Sequence, residues 1–307
     1  MKHYSIVTLT INPSLDKSTH FPTLIAEQKM RCEAPRYDAG GGGVNVSKAI
    51  ARLGGDSHCV FTAGGSTGEK LKELIQQEGI DNSPIPVQHW TRENFIAFEN
   101  SSQKQYRFGF PGNAFSEDEQ QRIIATIAEL DSDYLVLSGS LNEGLSTDFY
   151  QIIAQNAKKK GIKVIVDTSG EALQKVIDTG VYLIKPNIGE LAKLLGVERL
   201  ELPEVEQAAR QLIAKGGAEI VVVSLGPLGA LLVSKEESFN VAAPEVEKKS
   251  TVGAGDSMVG GMVWALAQNK SLKEVIQIGV CCGSAATMNE GTQLFEVKDV
   301  ERMLRFF

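Results

Sequence analysis

The chain has 307 residues, of which 42% are apolar and 22% charged, a composition typical of folded globular proteins. Its formal net charge of −7 argues against binding to nucleic acids or membrane surfaces, because both need a basic field. The sequence lacks a signal-peptide pattern, a long apolar span and metal-ligand spacing of Cys or His, and two of its four cysteines are adjacent, so we expect a reduced, cytoplasmic protein.

Short β-branched runs alternate with helical patterns along most of the chain, which predicts an α/β fold with a mostly parallel sheet flanked by helices. The predicted strands cover residues 4–11, 57–63, 134–139, 163–168, 182–187 and 219–226. The predicted helices cover residues 44–54, 67–79, 116–130, 146–160, 203–216, 256–268 and 271–290. Several strands end in Ser, Asp, Asn or Gly, and the carboxyl ends of parallel strands are where such proteins bind ligands.

Two stretches, residues 13–37 and 90–110, interrupt this rhythm with alternating apolar and polar side chains. The pattern predicts a small antiparallel sheet with one solvent-facing side, which we expect to form a lid over one edge of the active site. No segment resembles a linker, so we expect residues 1–307 to form a single domain with this lid. An apolar lid face needs a partner surface, and the pairing of two lids in a homodimer is the natural way to cover it.

The first segment with potential chemistry lies around residues 12–45. Asp16 follows the first predicted strand, where its carboxylate would either bind sugar hydroxyls or face solvent. Gly40 to Gly43 then lead into a helix. Because four glycines lose much conformational entropy on folding and contribute no side-chain packing, we expect a ligand to approach the backbone closely here. The run has neither the Gly-Lys-Ser/Thr ending of a P-loop nor a true dinucleotide fingerprint.

Two later strands also end in candidate binding segments. Asn187 and Glu190 are three residues apart after one strand, so they would either position a hydrated magnesium ion or form a capping box. The next strand ends in the segment from Ser224 to Gly229, which would either lie under a nucleotide or form an ordinary β-turn.

The most informative segment runs from Ser250 to Ser257 and opens onto a helix of small residues. Gly253 and Gly255 leave backbone amides unobstructed at a helix N-terminus, which favours a bound anion. Asp256 stands beside them and would be ionised at neutral pH, so it could accept the proton of a hydroxyl that attacks a phosphoryl group. The structural alternative is a glycine-rich turn with an acidic first helical turn.

These segments, in this order, resemble the PfkB group of ribokinase-like carbohydrate kinases from about residue 4 to residue 300. The most specific parts are GGGGVNV and STVGAGDS; TLTINPSLD, WTRENF, KPNIGEL and VVVSLGPLGAL also fall in register. Kinases of fructose 1-phosphate and tagatose 6-phosphate usually have Lys where this chain has Gly42, which favours the 6-phosphofructokinase branch.

The resemblance implies a ribokinase-like fold and ATP-dependent phosphorylation of fructose 6-phosphate at its 1-hydroxyl, giving fructose 1,6-bisphosphate. Two alternatives within the family are a tagatose-6-phosphate kinase and a 1-phosphofructokinase. An alternative of another class is a non-catalytic sugar-phosphate-binding protein.

The resemblance also implies residue roles. Asp256 would be the base, and the amides of Gly253, Ala254 and Gly255 the anion hole. The residues expected to bind the sugar phosphate are Asp16, Lys29, Arg31, Gly40, Gly41, Asn45, Arg92, Arg107 and Ser140. Within this set, Arg92 would clamp the existing phosphate, while Lys29 and Arg31 would reach it from the lid, across a dimer. The residues expected on the ATP side are Lys185, Asn187, Ser224, Gly226, Gly229 and Thr251.

Two metal sites are implied in the same way. Asn187 and Glu190 would organise Mg²⁺ through water. The residues whose carbonyl groups are expected to bind K⁺ are Ser250, Val252, Ala286 and Gly291. The chain departs from the family pattern in the turn from Gly139 to Gly144, which usually reads GSLPPG, and at Gln293, where we expect Arg.

Overall fold

A computed structural model of the chain describes residues 2–289 and 292–307. The strands, numbered in chain order, are β1 (His3–Thr10), β2 (Ser14–Phe21), β3 (Arg36–Gly40), β4 (His58–Ala63), β5 (Asp81–Pro86), β6 (Arg92–Glu99), β7 (Lys104–Gly109), β8 (Asp131–Ser138), β9 (Lys163–Asp167), β10 (Val181–Ile184), β11 (Ala218–Ser224), β12 (Ala230–Ser234) and β13 (Ser238–Val241). The helices are α1 (Gly42–Arg52), α2 (Gly65–Gln77), α3 (Glu117–Glu129), α4 (Phe149–Lys159), α5 (Gly170–Ile177), α6 (Ile188–Leu195), α7 (Val205–Ala214), α8 (Ala254–Ala267), α9 (Leu272–Thr287) and α10 (Val297–Leu304).

Nine strands form the large sheet, in the order β13-β12-β11-β10-β9-β8-β1-β4-β5. The strands from β11 to β5 are parallel, and β12 and β13 extend one edge as an antiparallel hairpin. Strands β4, β8, β9 and β10 are each followed directly by a helical crossover to the next parallel strand, whereas β1 and β5 lead first into the strands of a second sheet and then into a helix. The carboxyl ends of the parallel strands therefore all lie at one edge.

Both faces of the large sheet are covered by helices. Along β1, Ile6 belongs to the apolar cluster formed with α1, α8, α9 and α10, whereas Val7 belongs to the cluster formed with α3 to α7. Neighbouring residues thus face opposite layers, which is why the central strands are continuously apolar instead of alternating. None of the described helices is long and apolar enough to cross a membrane.

Helix α8 packs closely against two neighbouring helices because glycine lies at both contacts. A Cβ atom at Gly261 would stand only 2.7 Å from the Cys282 sulfur on α9. A Cβ atom at Gly260 would stand 3.0 Å from the Val46 carbonyl oxygen on α1. Side chains at these positions would push the helices apart, so the small residues fix where α8 lies.

A second, four-stranded sheet has the order β3-β2-β6-β7 and is referred to here as the lid. Its strands come from the two segments that interrupt the α/β rhythm in the sequence. The expectation of a purely antiparallel sheet is wrong, because β2 and β6 pair in parallel while the other two pairs are antiparallel. Strand β3 also runs on to Gly40, beyond the expected boundary, and residues 22–35 contain no regular strand or helix.

The predicted ribokinase-like α/β architecture is confirmed by close structural relatives described below. The predicted strands and helices all occur, with ends that differ by up to three residues. The elements that the sequence pattern did not predict are β5, β12, β13, α5, α6 and α10. They are short or, in β5, interrupted by proline, so each offers too few residues for a clear period.

Candidate active site

The candidate site lies where the carboxyl ends of the central parallel strands meet the lid. Strand β2 of the lid begins four residues after β1 ends, and β3 leads directly into α1. The lid is therefore joined to the same edge of the large sheet at which β8, β9 and β10 end. This edge is the place where open α/β sheets bind ligands.

The N-terminus of α8 forms a site suited to an anion. The helix begins after Gly253, whose φ of +72° is a left-handed conformation that glycine adopts readily. A Cβ atom at Gly255 would lie 3.5 Å from the Lys185 ammonium, so this cation stands beside the first turn. Ala254 N makes only a long hydrogen bond of 3.4 Å to Thr251 O, and helix N-terminal amides together with an ammonium group favour a phosphate-like anion.

Asp256 lies in this first turn and connects it to the other half of the site. Its carboxylate accepts a hydrogen bond of 2.9 Å from Asn45 Nδ2 on α1. Burial raises the pKa of Asp256 to about 6, the nearby Asp167 charge adds to the rise, and the Asn45 hydrogen bond opposes it. Asp256 is therefore a stronger base than an ordinary Asp, yet it is still ionised at neutral pH.

Asp167 was not singled out from the sequence, although it ends a buried strand. It forms an ion pair of 3.1 Å with Lys185. Burial tends to lower the pKa of Lys185, but the attraction of Asp167 outweighs it and leaves that pKa above its ordinary value. Lys185 consequently remains charged beside the anion site. The sequence feature that could have identified Asp167 is its position at the end of the apolar strand KVIVD.

The four glycines between β3 and α1 each have a reason within the protein itself. A Cβ atom at Gly40 would collide with Asp16, and Gly41 has a φ of +116°. Gly42 and Gly43 lie in the first turn of α1, where a Cβ atom would come within 2.7 Å of Gly139 N and of Leu9 O respectively. Close backbone packing within the protein therefore already requires glycine at these positions, and the close approach of a ligand stays a prediction.

Asp16 is only 5% exposed, so the alternative of a solvent-facing carboxylate is wrong. Its Oδ1 accepts hydrogen bonds from Ser14 Oγ at 2.7 Å and from Asn94 Nδ2 at 2.8 Å. Burial raises the pKa of Asp16, while these two hydrogen bonds and the charge of Arg92 lower it. No sequence pattern singled out Ser14 and Asn94, which lie two residues from Asp16 and Arg92 respectively.

The candidate phosphate clamp lies beside Asp16. Arg92 donates to Asn94 Oδ1 at 2.9 Å, to Phe110 O at 3.2 Å and to Asn12 O at 3.2 Å. Asn12 Nδ2 in turn donates to Ser140 Oγ at 3.2 Å, which places Ser140 next to this group. Each guanidinium nitrogen of Arg92 already donates to a protein acceptor, which leaves one Nη2–H for a bound anion in this conformation.

Three other candidate cations lie apart from this group. Lys29 and Arg31 are exposed on the irregular segment 22–35, and Arg107 is exposed on β7. Within residues 2–289 and 292–307, none of the three side chains forms a hydrogen bond or ion pair with a described residue. Their part in the phosphate clamp stays a prediction.

The nucleotide side contains two structured turns. Asn187 is the N-cap of α6, where its Oδ1 accepts from Glu190 N and its own N donates to Glu190 Oε2, each at 2.9 Å. The capping-box alternative is therefore present in the structure. Ser224 N donates to Pro186 O at 2.9 Å, so the ends of β10 and β11 lie side by side.

The turn after Ser224 is less specific to ligand binding than its glycines suggest. Gly226 has a left-handed φ of +61° and open space around it. Gly229 instead has its Cβ position filled by the backbone of β13, so packing alone requires glycine there. Thr251 is exposed just before α8, and its carbonyl oxygen accepts a hydrogen bond of 3.4 Å from Ala254 N.

Part of the expected K⁺ site can be followed. Ser250 N donates to Thr287 O at 3.1 Å and Val252 N to Ser250 Oγ at 3.2 Å, which holds this segment against the end of α9, where Ala286 lies. Gly291 lies outside the described residues. Near Gln293, where we expect an Arg, Arg52 of α1 donates to Phe295 O at 2.8 Å.

Comparison with known proteins gives close matches over the whole chain. The model of the pfkB family of carbohydrate kinases matches residues 5–299. The chain is 44% identical over 303 residues to ATP-dependent 6-phosphofructokinase isozyme 2 of Escherichia coli, covering 98% of each sequence. Crystal structures of phosphofructokinase-2 from Escherichia coli match with 99% coverage of both chains. The potassium complex has a TM-score of 0.95 at 44% identity, and the fructose-6-phosphate complex 0.93 at 42%.

Proposed function

Because this chain belongs to the pfkB family of carbohydrate kinases, we propose that it transfers the terminal phosphate of ATP to the 1-hydroxyl of fructose 6-phosphate. The observation that carries the proposal is the hydrogen bond between Asp256, at the anion site of α8, and Asn45, next to the glycine run. This contact supports the proposal that a carboxylate base lies between the proposed site for the transferring phosphate and the proposed site for the sugar. The match to the fructose-6-phosphate complex supports the choice of sugar.

Asp256 is the proposed catalytic base. It accepts the proton of the 1-hydroxyl as the hydroxyl oxygen attacks the terminal phosphorus, and the bond from that phosphorus to ADP breaks. The amides of Gly253, Ala254 and Gly255, together with Lys185, stabilise the negative charge on the phosphoryl oxygens. The Oδ1 of Asn45 is buried without a partner among the described residues, and a sugar hydroxyl would satisfy it.

The sugar phosphate is held by the lid side of the site. Asp16 and the backbone at Gly40 and Gly41 bind hydroxyls, and Arg92 with Ser140 binds the 6-phosphate. A guanidinium fork suits a phosphate group because it can donate two parallel hydrogen bonds, for which Arg92 must release one of its backbone acceptors, Asn12 O or Phe110 O, when the sugar phosphate binds. Lys29, Arg31 and Arg107 contribute only if a second copy of the chain or closure of the lid brings them near.

The residues on the nucleotide side fit a hydrated metal ion. Glu190 uses only one carboxylate oxygen in its capping box, which leaves Oε1 to bind a metal-bound water. Mg²⁺ would neutralise charge on the phosphates when bound. Asn187, Ser224, Gly226, Gly229 and Thr251 line the nucleotide. Carbonyl groups of Ser250, Val252 and Ala286 would hold K⁺ behind the anion site.

We further propose that residues 1–307 form one kinase domain that works in the cytoplasm as a homodimer paired through the lids. The exposed apolar side chains of the lid and its hinges support pairing. They are Leu24, Ile25, Met30, Trp90, Phe108 and Phe110. A monomeric protein seldom exposes so many apolar side chains on one small element.

The proposal is tested by measuring ADP release with ATP, magnesium and one sugar at a time, with and without potassium. The sugars are fructose 6-phosphate, tagatose 6-phosphate, fructose 1-phosphate and fructose. We expect the highest kcat/KM with fructose 6-phosphate. A higher value with tagatose 6-phosphate or fructose 1-phosphate would change the substrate assigned. No turnover with any sugar, despite binding, would favour a non-catalytic sugar-phosphate-binding protein.

A further inference from the structure

Asn94 occupies the point where the phosphate clamp meets the hydroxyl-binding carboxylate. It lies on β6 directly opposite Asp16 of β2 in the parallel pair of the lid. Its Nδ2 donates to Asp16 Oδ1 at 2.8 Å and to Ser14 Oγ at 3.0 Å. Its Oδ1 accepts from Arg92 at 2.9 Å. One amide group thus touches both residues that are proposed to hold the two ends of the sugar phosphate.

These contacts define a single orientation of the amide. Rotating it by half a turn would place its NH₂ group against the guanidinium of Arg92 and its oxygen against the carboxylate of Asp16. Both reversed contacts would be repulsive, so each neighbour independently selects the same rotamer. Asp16 is almost completely buried and forms no direct ion pair with Arg92, so among the described contacts the Asn94 amide is the side chain that touches both of them.

We propose that Asn94 is a positioning residue that sets the distance between Arg92 and Asp16 and thereby couples recognition of the phosphate to recognition of the hydroxyls. The inference rests on the proposed function, since it takes sugar phosphates as substrates. When a bound anion displaces Arg92, the Oδ1 of Asn94 that accepts from it is displaced too. Because the amide group is rigid, the Nδ2 donor of Asn94 then shifts relative to Asp16. A sugar without the distant phosphate does not contact Arg92, so it gains nothing from the Asn94 bridge to Asp16. The chain therefore selects phosphorylated sugars by geometry as well as by charge.

A purely structural role makes a different prediction. If Asn94 only held β6 against β2, its loss would weaken the lid and reduce binding through either end of the substrate independently. If Asn94 connects the two ends, its loss would remove their interdependence. A double-mutant cycle separates these cases, because residues in one hydrogen-bond network give non-additive effects while independent residues give additive ones.

The experiment measures the Kd of fructose 6-phosphate by calorimetry without ATP, so it does not depend on turnover. Arg92→Lys, Asp16→Asn and the combination are compared, first with Asn94 intact and then with Asn94→Ala. With Asn94 intact, we expect the combined effect on Kd to differ from the product of the single effects by about threefold or more. With Asn94→Ala, the effects should multiply to within about twofold.

Two further variants keep the test decisive. Asn94→Asp has the same size and can still accept from Arg92, but it places a second carboxylate against Asp16, so we expect Kd to rise more than in Asn94→Ala. Asn100→Ala is the matched control, because Asn100 is exposed at the far end of β6 and outside the network. Its Kd should remain that of the unaltered protein. Melting temperatures establish that each variant is folded.

Equal coupling in both backgrounds, or no coupling with Asn94 intact, would overturn the inference. Normal binding without turnover would count against the proposed kinase activity. The inference would still be supported if the Arg92 and Asp16 substitutions were non-additive with Asn94 intact and additive with Asn94→Ala. Failure of the unaltered protein to bind fructose 6-phosphate would overturn both.

Discussion

Asp256 combines burial, which weakens its acidity, with an amide donor that holds its carboxylate in place. Asp256→Asn keeps the shape of the side chain and removes the base. We expect kcat to fall by several orders of magnitude, because proton acceptance and the correct orientation of the hydroxyl are lost together. Steady-state kinetics with fructose 6-phosphate provide the measurement, and near-normal turnover would refute the assignment.

The same substitution should not destabilise the fold. A pKa of about 6 in the folded protein, against about 3.8 in the unfolded chain, means that ionising Asp256 works against folding above pH 6. This cost is lost as the pH falls towards 4. Replacing the carboxylate should therefore raise the free energy of unfolding at pH 8, by at most about 3 kcal/mol. Urea unfolding at pH 8 and pH 4.5 measures the difference, which should be smaller at the lower pH.

The pH dependence of the reaction should identify Asp167 as a neighbour of the base. Only the ionised form of Asp256 accepts a proton, so kcat/KM should fall as the pH drops through about 6. Asp167 raises that pKa, and Asp167→Asn should move the acidic limb of the profile to lower pH. The substrate ionises identically in both experiments, so the displacement between the two pH profiles measures a change in the pKa of a group on the enzyme. An unmoved or upward-moved limb would contradict the electrostatic account.

Arg92 should affect binding of the sugar phosphate more than chemistry. Arg92→Ala removes a charged, forked donor, a loss of roughly 1.5–3 kcal/mol. We expect KM for fructose 6-phosphate to rise by tens of fold while KM for ATP stays nearly constant. Arg199→Ala is the control, because Arg199 is a surface residue whose partner is Glu201. An effect confined to ATP would show that the two sides of the site have been interchanged.

At the level of single residues, the sequence identified candidate site residues that lie in distinctive motifs and missed those that do not. Asp256 stands in a glycine turn and Arg92 in a recognisable family segment, so both could be singled out. Asp167, Ser14 and Asn94 become significant only through side-chain contacts between separate strands. One sequence does not reveal such contacts, because strand register and rotamers are results of folding.

At the scale of secondary-structure elements, one buried carboxylate in the lid accepts several hydrogen bonds that connect separate segments. Glu99 ends β6 and is only 5% exposed. It accepts hydrogen bonds from Ser102 Oγ at 2.5 Å, Leu24 N at 2.7 Å and Tyr106 Oη at 3.0 Å. These donors lower the pKa of Glu99 to about 2, the Ser102 bond most strongly. Glu99 thus ties the β6–β7 turn to the start of the irregular segment 22–35.

Glu99→Gln should loosen this segment. The neutral amide accepts hydrogen bonds more weakly than a carboxylate and adds donors that Leu24 N and the hydroxyls do not need. We expect faster trypsin cleavage after Lys29 or Arg31 at pH 7.5, with little change in global melting temperature. Because the folded pKa is depressed, the ionised Glu99 contributes stability above about pH 4.5 and loses it towards pH 2. Unchanged cleavage rates would show that the segment is held by other contacts.

The lid also shows where element prediction fails. Alternating side chains located its strands correctly, but the pattern is the same for parallel and antiparallel neighbours. The parallel pairing of β2 with β6 follows from the path of the chain through the large sheet between them. That path is a property of the whole fold and is not visible in either strand.

At the scale of the whole molecule, the apolar side chains of the lid predict self-association. Phe108 is 52% exposed on β7, and Phe108→Asp would place a charge in a dry interface. We expect the unaltered protein to have twice the 33.2-kDa mass of one chain in light scattering, and the variant to dissociate. Phe306→Asp, an exposed phenylalanine outside the lid, is the control and should remain dimeric. A monomeric unaltered protein would contradict lid pairing.

The glycine contacts of α8 with α1 and α9 have a mechanical consequence for the site. A Cβ atom at either glycine would meet its neighbour at 3.0 Å or less, so α8 has little room to shift against α1 and α9, and we expect Asp256 and Asn45 to keep their relative positions when different sugars bind. We therefore expect any adaptation of the site to different sugars to take place in the four-stranded lid. Changes of sugar preference should accordingly arise through the lid, whereas enlarging either glycine would displace the base and silence the enzyme towards every sugar alike.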